Sequence, residues 1–464
     1  MLRKLAEPEV TADNPFANDV LERKPSIERL TYLLESTKQP FVLSIEAPWG
    51  WGKTTFIRMW KAFLESKGHT CFHFNAWQND FVDDPLVAFL GEMAKHIEKE
   101  KKELNSEEPI KKYLGEVKRI GAGVLRKALP LAVQVATHGL LNQEAVKQAV
   151  GTLSEETDKF AEFASTLAKE RLDKYETERN GIEAFRLNLE KLAQEVVAKG
   201  GGISPLVFFI DEMDRCRPDF AIALLERIKY LFNVNQVAFV LAVDRTQLNQ
   251  SVKALYGLES DPDGYLRRFI DLAYSLPPPT TERFVENLYR RFAMDECFGT
   301  RVRSADESRI WRTAFVHYAQ ALSLSLRVQE QCFTEMNIIW RTLPPRMEIY
   351  PAVLSFFSAL RAYRPEIFNE LRRHRISIDT ITDWFAGVSD IWYQVWVEAA
   401  LIHGFCNSEE RRNRLEKFKE KYVKSTPNTF LDRPSQLADY LCHDGHSGQM
   451  LSILSQLEMS SQFR

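Results

Sequence analysis

The segment Glu46-Ala47-Pro48-Trp49-Gly50-Trp51-Gly52-Lys53-Thr54-Thr55 carries the residue types that hold a phosphate. A phosphate-binding loop asks for Gly, four residues, then Gly-Lys-Ser/Thr. Ala47 stands where the first glycine would be, and Gly52, Lys53 and Thr54 are intact. Gly50 and Gly52 permit close approach and left-handed dihedrals. The backbone N–H groups from Trp49 to Thr55, at the loop and the helix start, would point at phosphate oxygens. Lys53 would reach the β- and γ-phosphates, and the Thr54 hydroxyl would face Mg²⁺. The expected ligand is ATP with Mg²⁺. No Asn/Thr-Lys-x-Asp guanine motif occurs, although that does not separate ATP from GTP firmly.

A second group of acids follows an apolar run. Leu206 to Ile210 leads straight into Asp211-Glu212-Met213-Asp214-Arg215-Cys216. In an open α/β sheet, ligands sit beyond the carboxyl ends of the strands. There Asp211 would hold Mg²⁺, usually through water, and Glu212 would polarise the attacking water as general base. The bland alternative is a solvated acidic turn. Asp244 ends another apolar run. It either senses the γ-phosphate and orients water, or caps the helix leading into Thr246.

These residues need a sheet to position them. An extended lead-in, Glu7 to Lys24, precedes a helix after Pro25, with Ser26 expected as N-cap and Ile27, Leu30, Leu33 and Leu34 as apolar face. Strands are expected at Phe41–Ile45, Thr70–Asn75, Leu206–Ile210, Gln236–Val243 and Phe269–Leu276. Strands alternating with helices indicate an α/β fold with a parallel sheet. Many more residues separate Lys53 from Asp211 than a compact core needs, so a helical insertion must lie between them. The expected divisions are a first core part (1–83), a helical insertion (84–200), a second core part (201–280) and a C-terminal helical lid or adaptor (281–464). Pro277-Pro278-Pro279 marks the last boundary.

Together these stretches resemble the KAP family of P-loop NTPases, within the STAND and AAA-like ATPases. The resemblance is carried by Trp49 to Thr55, Phe74-Asn75-Ala76-Trp77, Asp211 to Cys216, Val243-Asp244-Arg245 and Tyr265 to Phe269. Ser325-Leu326-Arg327 extends it. It implies a sheet of order 5-1-4-3-2 and ATP hydrolysis that drives a conformational switch or assembly. The alternative is a nucleotide-binding scaffold with little turnover, against which Glu212 argues. By the same resemblance, Arg327 is either a second sensor arginine from the lid or an ordinary helix-start arginine. Arg268, read as entering the fifth strand, either reaches the γ-phosphate of a neighbouring subunit or is a structural arginine paired with Asp271 or another local acid. The first reading of Arg268 implies a homo-oligomer. Bacterial members are associated with defence against phage, and animal relatives act as membrane scaffolds. A protein effector encoded nearby is the expected partner.

The rest of the chain narrows the classes. Its 464 residues hold 61 Lys+Arg against 64 Asp+Glu, a net charge of -3, which excludes a polybasic nucleic-acid binder as the default. The basic clusters at Arg361, Arg364, Arg372, Arg373 and Arg375, and at Arg411, Arg412, Arg414, Lys417 and Lys419, have acids among them. They read as solvated helix faces, with nucleic acid the less favoured partner. Six scattered cysteines without a CxxC pair fit a reducing cytoplasm. Met1 to Asn18 lacks the apolar segment of a secretory signal. KAP proteins often carry transmembrane helices between the two nucleotide motifs, and this sequence departs there. Ile120 to Leu141 sits at that place but is interrupted by Arg126, Lys127, Gln134 and His138, so it is expected not to span a bilayer; peripheral contact is the lesser option. Trp77 reads as a core aromatic or a site wall, and Asn14 and Phe16 as candidates for an adenine clasp. Cys442, His443 and His446 are too few for a metal site.

Overall fold

The computed structural model describes residues 9–37, 39–99, 108–124, 180, 183–198, 203–229, 234–299, 305–342, 350–373, 375–387 and 391–423. Its centre is a five-stranded parallel sheet: β1 (Phe41–Glu46), β2 (His69–Asn75), β3 (Ile203–Asp211), β4 (Val237–Val243) and β5 (Leu272–Ser275). The strands lie in the order β2-β3-β4-β1-β5, which is the expected 5-1-4-3-2 read from the other edge.

Strand periodicity explains why both faces are buried. Val42, Phe72, Phe74, Phe208, Ile210, Phe239 and Leu241 point to one face, and Leu43, Ile45, Cys71, Val207, Phe209, Val240 and Ala242 to the other. Near-continuous apolar strands are what a sheet covered on both sides requires. Phe72, Phe208 and Phe239 are register neighbours on adjacent strands. Their rings stack at 5.0 and 5.2 Å between centroids, adding about 0.5–1.5 kcal/mol per pair to simple burial. Helices α1 (Lys24–Ser36) and α2 (Lys53–Ser66) cover the second face. The first face is covered by α3 (Pro85–Lys99), α4 (Glu108–Val124), a helical stretch at 183–198 (α5), α6 (Pro218–Ile228) and α7 (Arg245–Tyr256).

Two local expectations need correction. Ser26 does not cap α1. The Asp19 carboxylate accepts the N–H groups of Arg23 and Lys24 at 2.7 and 2.8 Å, and the Ser26 hydroxyl instead accepts from Tyr274. The fifth strand is shorter than Phe269–Leu276. A helix, α8 (Pro262–Leu266), runs into a turn in which the Phe269 N–H bonds to Leu266 O. Pairing with β1 starts only where the Asp271 N–H meets Val42 O.

Beyond Leu276 the chain is helical. α9 (Thr281–Arg291), α10 (Met294–Gly299), α11 (Ala305–Ala321), α12 (Leu326–Thr342) and later helices to α17 (Ser408–Val423) build a core of their own around Trp311, Phe315, Phe333 and Phe356. Among the described residues no helix is long and apolar enough to cross a membrane. Of Ile120 to Leu141, residues 125–141 lie outside the described residues, as do Cys442, His443 and His446.

Candidate functional site

β1 ends at Glu46 and α2 begins at Lys53, so the loop between them lies beyond the carboxyl end of a central strand. Gly50 and Gly52 take φ of 80° and 83°, a region costly for residues with a Cβ. No side chain caps the first turn of α2. Its unpaired N–H groups, with the positive end of the helix dipole, form a ready anion site. Lys53 is buried, and its Nζ donates to Ala47 O at 2.6 Å and to Pro48 O at 3.3 Å. Burial lowers its pKa, while the charges of Asp214, Asp244 and Asp211 oppose that shift. Thr54 and Thr55 sit half-buried in the same first turn. Arg23, buried at the head of α1, braces the loop from behind with Nη2 toward Trp51 O at 3.3 Å and Nη1 on Pro277 O at 2.7 Å.

The acids converge on this loop from the neighbouring strands. Asp211 ends β3 and is 1% exposed. Its Oδ1 accepts the Glu212 N–H at 2.8 Å, whereas Oδ2 has no hydrogen-bond partner among the described residues. His73 Nε2 lies 4.0 Å from that oxygen. Such an orphaned buried oxygen suits a cation's hydration shell, since Mg²⁺ needs only one or two protein carboxylates. Glu212 has φ of 61°. Its carboxylate accepts from Asn75 Nδ2 at 3.0 Å and pairs with Arg215 Nη1 at 2.8 Å.

Asp244 does two jobs. Oδ1 accepts the N–H groups of Thr246 and Gln247, capping α7, and Oδ2 accepts the Trp49 N–H at 3.1 Å. The cap is therefore real, and the same carboxylate touches the phosphate loop. The next residue, Arg245, joins Glu46 at 3.1 Å to Asp263 at 3.0 Å.

The helical C-terminal part also reaches the loop. The Leu326 N–H donates to Gly50 O at 3.2 Å. A Cβ at Gly50 would meet Ser325 at 3.0 Å and the Arg327 Cβ at 3.6 Å, so Arg327 stands directly over the loop.

Arg268 lies elsewhere. It is exposed in the turn before β5, with its guanidinium 6.0 Å from the Tyr265 ring centroid. The following Asp271 bonds Val42, at the end of β1 opposite the phosphate loop. Arg268 thus does not enter a strand, and the Asp271 carboxylate serves the Val42 N–H. Trp77 is not a core aromatic. It is 52% exposed, with the Arg215 guanidinium 5.9 Å from its ring. Phe16 packs on Phe63 at 5.2 Å, on the body of α2. In the basic clusters, Arg361 is buried against Glu335, and Arg414 grips Asp379 with two bonds of 2.6 and 2.9 Å.

Sequence reasoning left two site residues without a role. Asn75 was visible only as part of a motif, and Asp214 only as a third acid after Asp211 and Glu212. Asp214 is buried and accepts the indole N–H of Trp49. Burial raises its pKa, while Lys53 and Trp49 pull it back.

The KAP family P-loop domain matches residues 23–343, an interval from the head of α1 to the end of α12. Among solved structures, the ORC2 protein of Aeropyrum pernix, determined in ADPNP–ADP complexes, is a loose likeness. It covers 97% of this chain and 98% of its own, at 10% identity and a TM-score of 0.35. No curated protein matches.

Proposed function

Because the chain belongs to the KAP family, whose P-loop domain binds nucleotide, we propose that this site takes ATP with Mg²⁺ and hydrolyses it. The observation that carries this reading is the convergence of Asp211, Asp214 and Asp244 around Lys53 at one uncapped helix start, with Glu212 next in the chain after Asp211. The amides from Trp49 to Thr55 would cradle the phosphates, and the Lys53 ammonium would leave its loop carbonyls for the β- and γ-oxygens. Mg²⁺ would be held by the Thr54 hydroxyl and, through water, by Asp211, and when bound it neutralises phosphate charge. Glu212 takes a proton from the attacking water, the water oxygen bonds to the γ-phosphorus, and the bridging P–O bond breaks to release ADP and phosphate. Asp244 orients groups near the γ-phosphate, and Arg327 answers to it from the lid.

Hydrolysis would drive a switch or an assembly. The domain plan is a core (1–83 and 201–280), an insertion (84–200) and a lid or adaptor (281–464). The contact of Leu326 with Gly50 gives such a lid a direct view of the loop. Phosphate release that requires Mg²⁺ and stops with EDTA is the expected result. A folded chain that binds ATP and releases no phosphate would leave the second reading, a nucleotide-binding scaffold. The pairing of Glu212 with Asn75 and Arg215 favours that rival, since both oxygens of the base already have partners.

Assembly is testable separately. Arg268 is exposed and set away from its own loop, so the direct role in turnover proposed for it is one exerted on a second copy. Specific activity is then expected to rise with protein concentration. Mixing Arg268→Ala with Lys53→Ala should restore turnover, because one mixed interface carries both intact halves. Concentration-independent activity without rescue would leave Arg268 structural and the homo-oligomer unsupported. Cys71, Cys216, Cys332 and Cys406 are buried, and the scattered cysteines without a CxxC pair support a reducing, cytoplasmic setting. A role in defence against phage, with an effector encoded nearby, rests on family membership alone.

A further inference from the structure

We propose that Asp214 is a positioning residue of this site, and that its bond with Trp49 ties the phosphate loop to the turn that carries Glu212. The proposal rests on the ATP reading above. Trp49 is the loop's outer residue and is 45% exposed. Burial holds its indole only in part, and two polar bonds fix the residue further: the backbone N–H to Asp244 Oδ2 and the indole N–H to Asp214 Oδ2. Gly50, with φ of 80°, follows at once and its carbonyl is held by the Leu326 N–H, so on the Trp49 side the loop depends on these two bonds.

The other end of the tie is stiff. Asp214 lies in the single 3₁₀ turn Met213–Arg215, begun by Glu212 in a left-handed conformation. Met213 is fully buried beneath it. Arg215, from the same turn, holds the Glu212 carboxylate. A displacement of Trp49 is thus passed through Asp214 to the segment that sets both the base and its arginine partner. Asp214 keeps a carboxylate at 6% exposure, with Oδ1 lacking any hydrogen-bond partner among the described residues. Such a group is costly to bury. Its placement beside Lys53 and Trp49 accounts for it. When a phosphate draws Lys53 and the loop amides toward itself, the Trp49–Asp214 bond registers that change at the Glu212 turn.

The test uses Trp49→Phe, which keeps an aromatic ring and deletes the donor, and Asp214→Ala, which deletes the acceptor. Affinity is read with a fluorescent ATP analogue, turnover by phosphate release, and loop position by the emission difference between the parent and its Trp49→Phe partner. Trp49→Phe should bind ATP nearly as well as the parent but turn over about 10- to 100-fold more slowly, the range for losing one hydrogen bond to a charged group. The double variant should be no slower than the slower single one. The Trp49 emission should shift on adding ATP with Mg²⁺, and that shift should vanish in Asp214→Ala. Parental turnover in Trp49→Phe, additive losses in the double variant, or an unchanged Trp49 signal in Asp214→Ala would each overturn the tie. If Asp214→Ala does not fold, the affinity–turnover split in Trp49→Phe decides alone. The ATP reading fails by a different result, namely unaltered ATP affinity in Lys53→Ala.

Discussion

Lys53→Ala is expected to weaken ATP binding by at least about 10²-fold, the loss that follows when a buried charge is left without its partner. The reason is the local charge balance. Lys53 is buried within the fields of Asp214, Asp244 and Asp211. Its ammonium offsets those carboxylates before any ligand arrives. Without it, a triphosphate would meet three nearby acids and an anion site built from backbone dipoles alone. The loop itself should survive, because Gly50 and Gly52 set its path and Arg23 braces it through Trp51. Titration with a fluorescent ATP analogue measures the effect, with thermal unfolding as the control for folding. Unchanged affinity in a folded variant would remove Lys53 from the site.

Glu212→Gln is expected to keep ATP bound while turnover falls by about 10²–10⁴-fold, the usual worth of a positioned general base. Glutamine retains the shape of the side chain and an oxygen that accepts from Asn75, so the bond at 3.0 Å survives in kind. It loses the charge that takes the proton and that pairs with Arg215 at 2.8 Å. Nucleotide should remain with the variant through gel filtration in the presence of Mg²⁺. Phosphate release at the parental rate would assign the base to another group. The same pair of measurements separates the two functional readings, since a scaffold with little turnover would show no difference between the parent and this variant.

Much of the core and part of the site were legible along the chain. Five apolar runs stand between helical stretches, and period-two burial follows from their composition. The Gly52-Lys53-Thr54 core needs a strand before it and a helix after it, and both are local. Asp211 and Glu212 follow directly from the end of β3. The errors were also local in origin. A serine just after a proline looks like a cap, but Asp19 lies one turn earlier and reaches the free N–H groups first. Aromatic residues before β5 looked like strand, yet Leu266, Phe269 and Ile270 are buried from a helix and a turn. Trp77 looked like core because it is large and apolar; a rim position beside Arg215 suits it equally well.

What the sequence by itself determined is the chemistry on offer: a phosphate loop, a strand ending in two acids, and a parallel sheet to hold them. Residue types, strand periodicity and the order of the motifs are enough for that, because each is settled within a few neighbouring positions. What only the tertiary structure decided is which groups meet. Asn75 reaches Glu212 across 137 positions, Trp49 reaches Asp214 across 165 and Asp244 across 195. Leu326 closes on Gly50 from the far helical part, while Arg268, near the site in motif order, lies at the opposite end of β1. Such contacts depend on strand order, register and the left-handed turns at Gly50, Gly52 and Glu212. Periodicity carries no information about them, because distance along the chain does not set distance across a sheet.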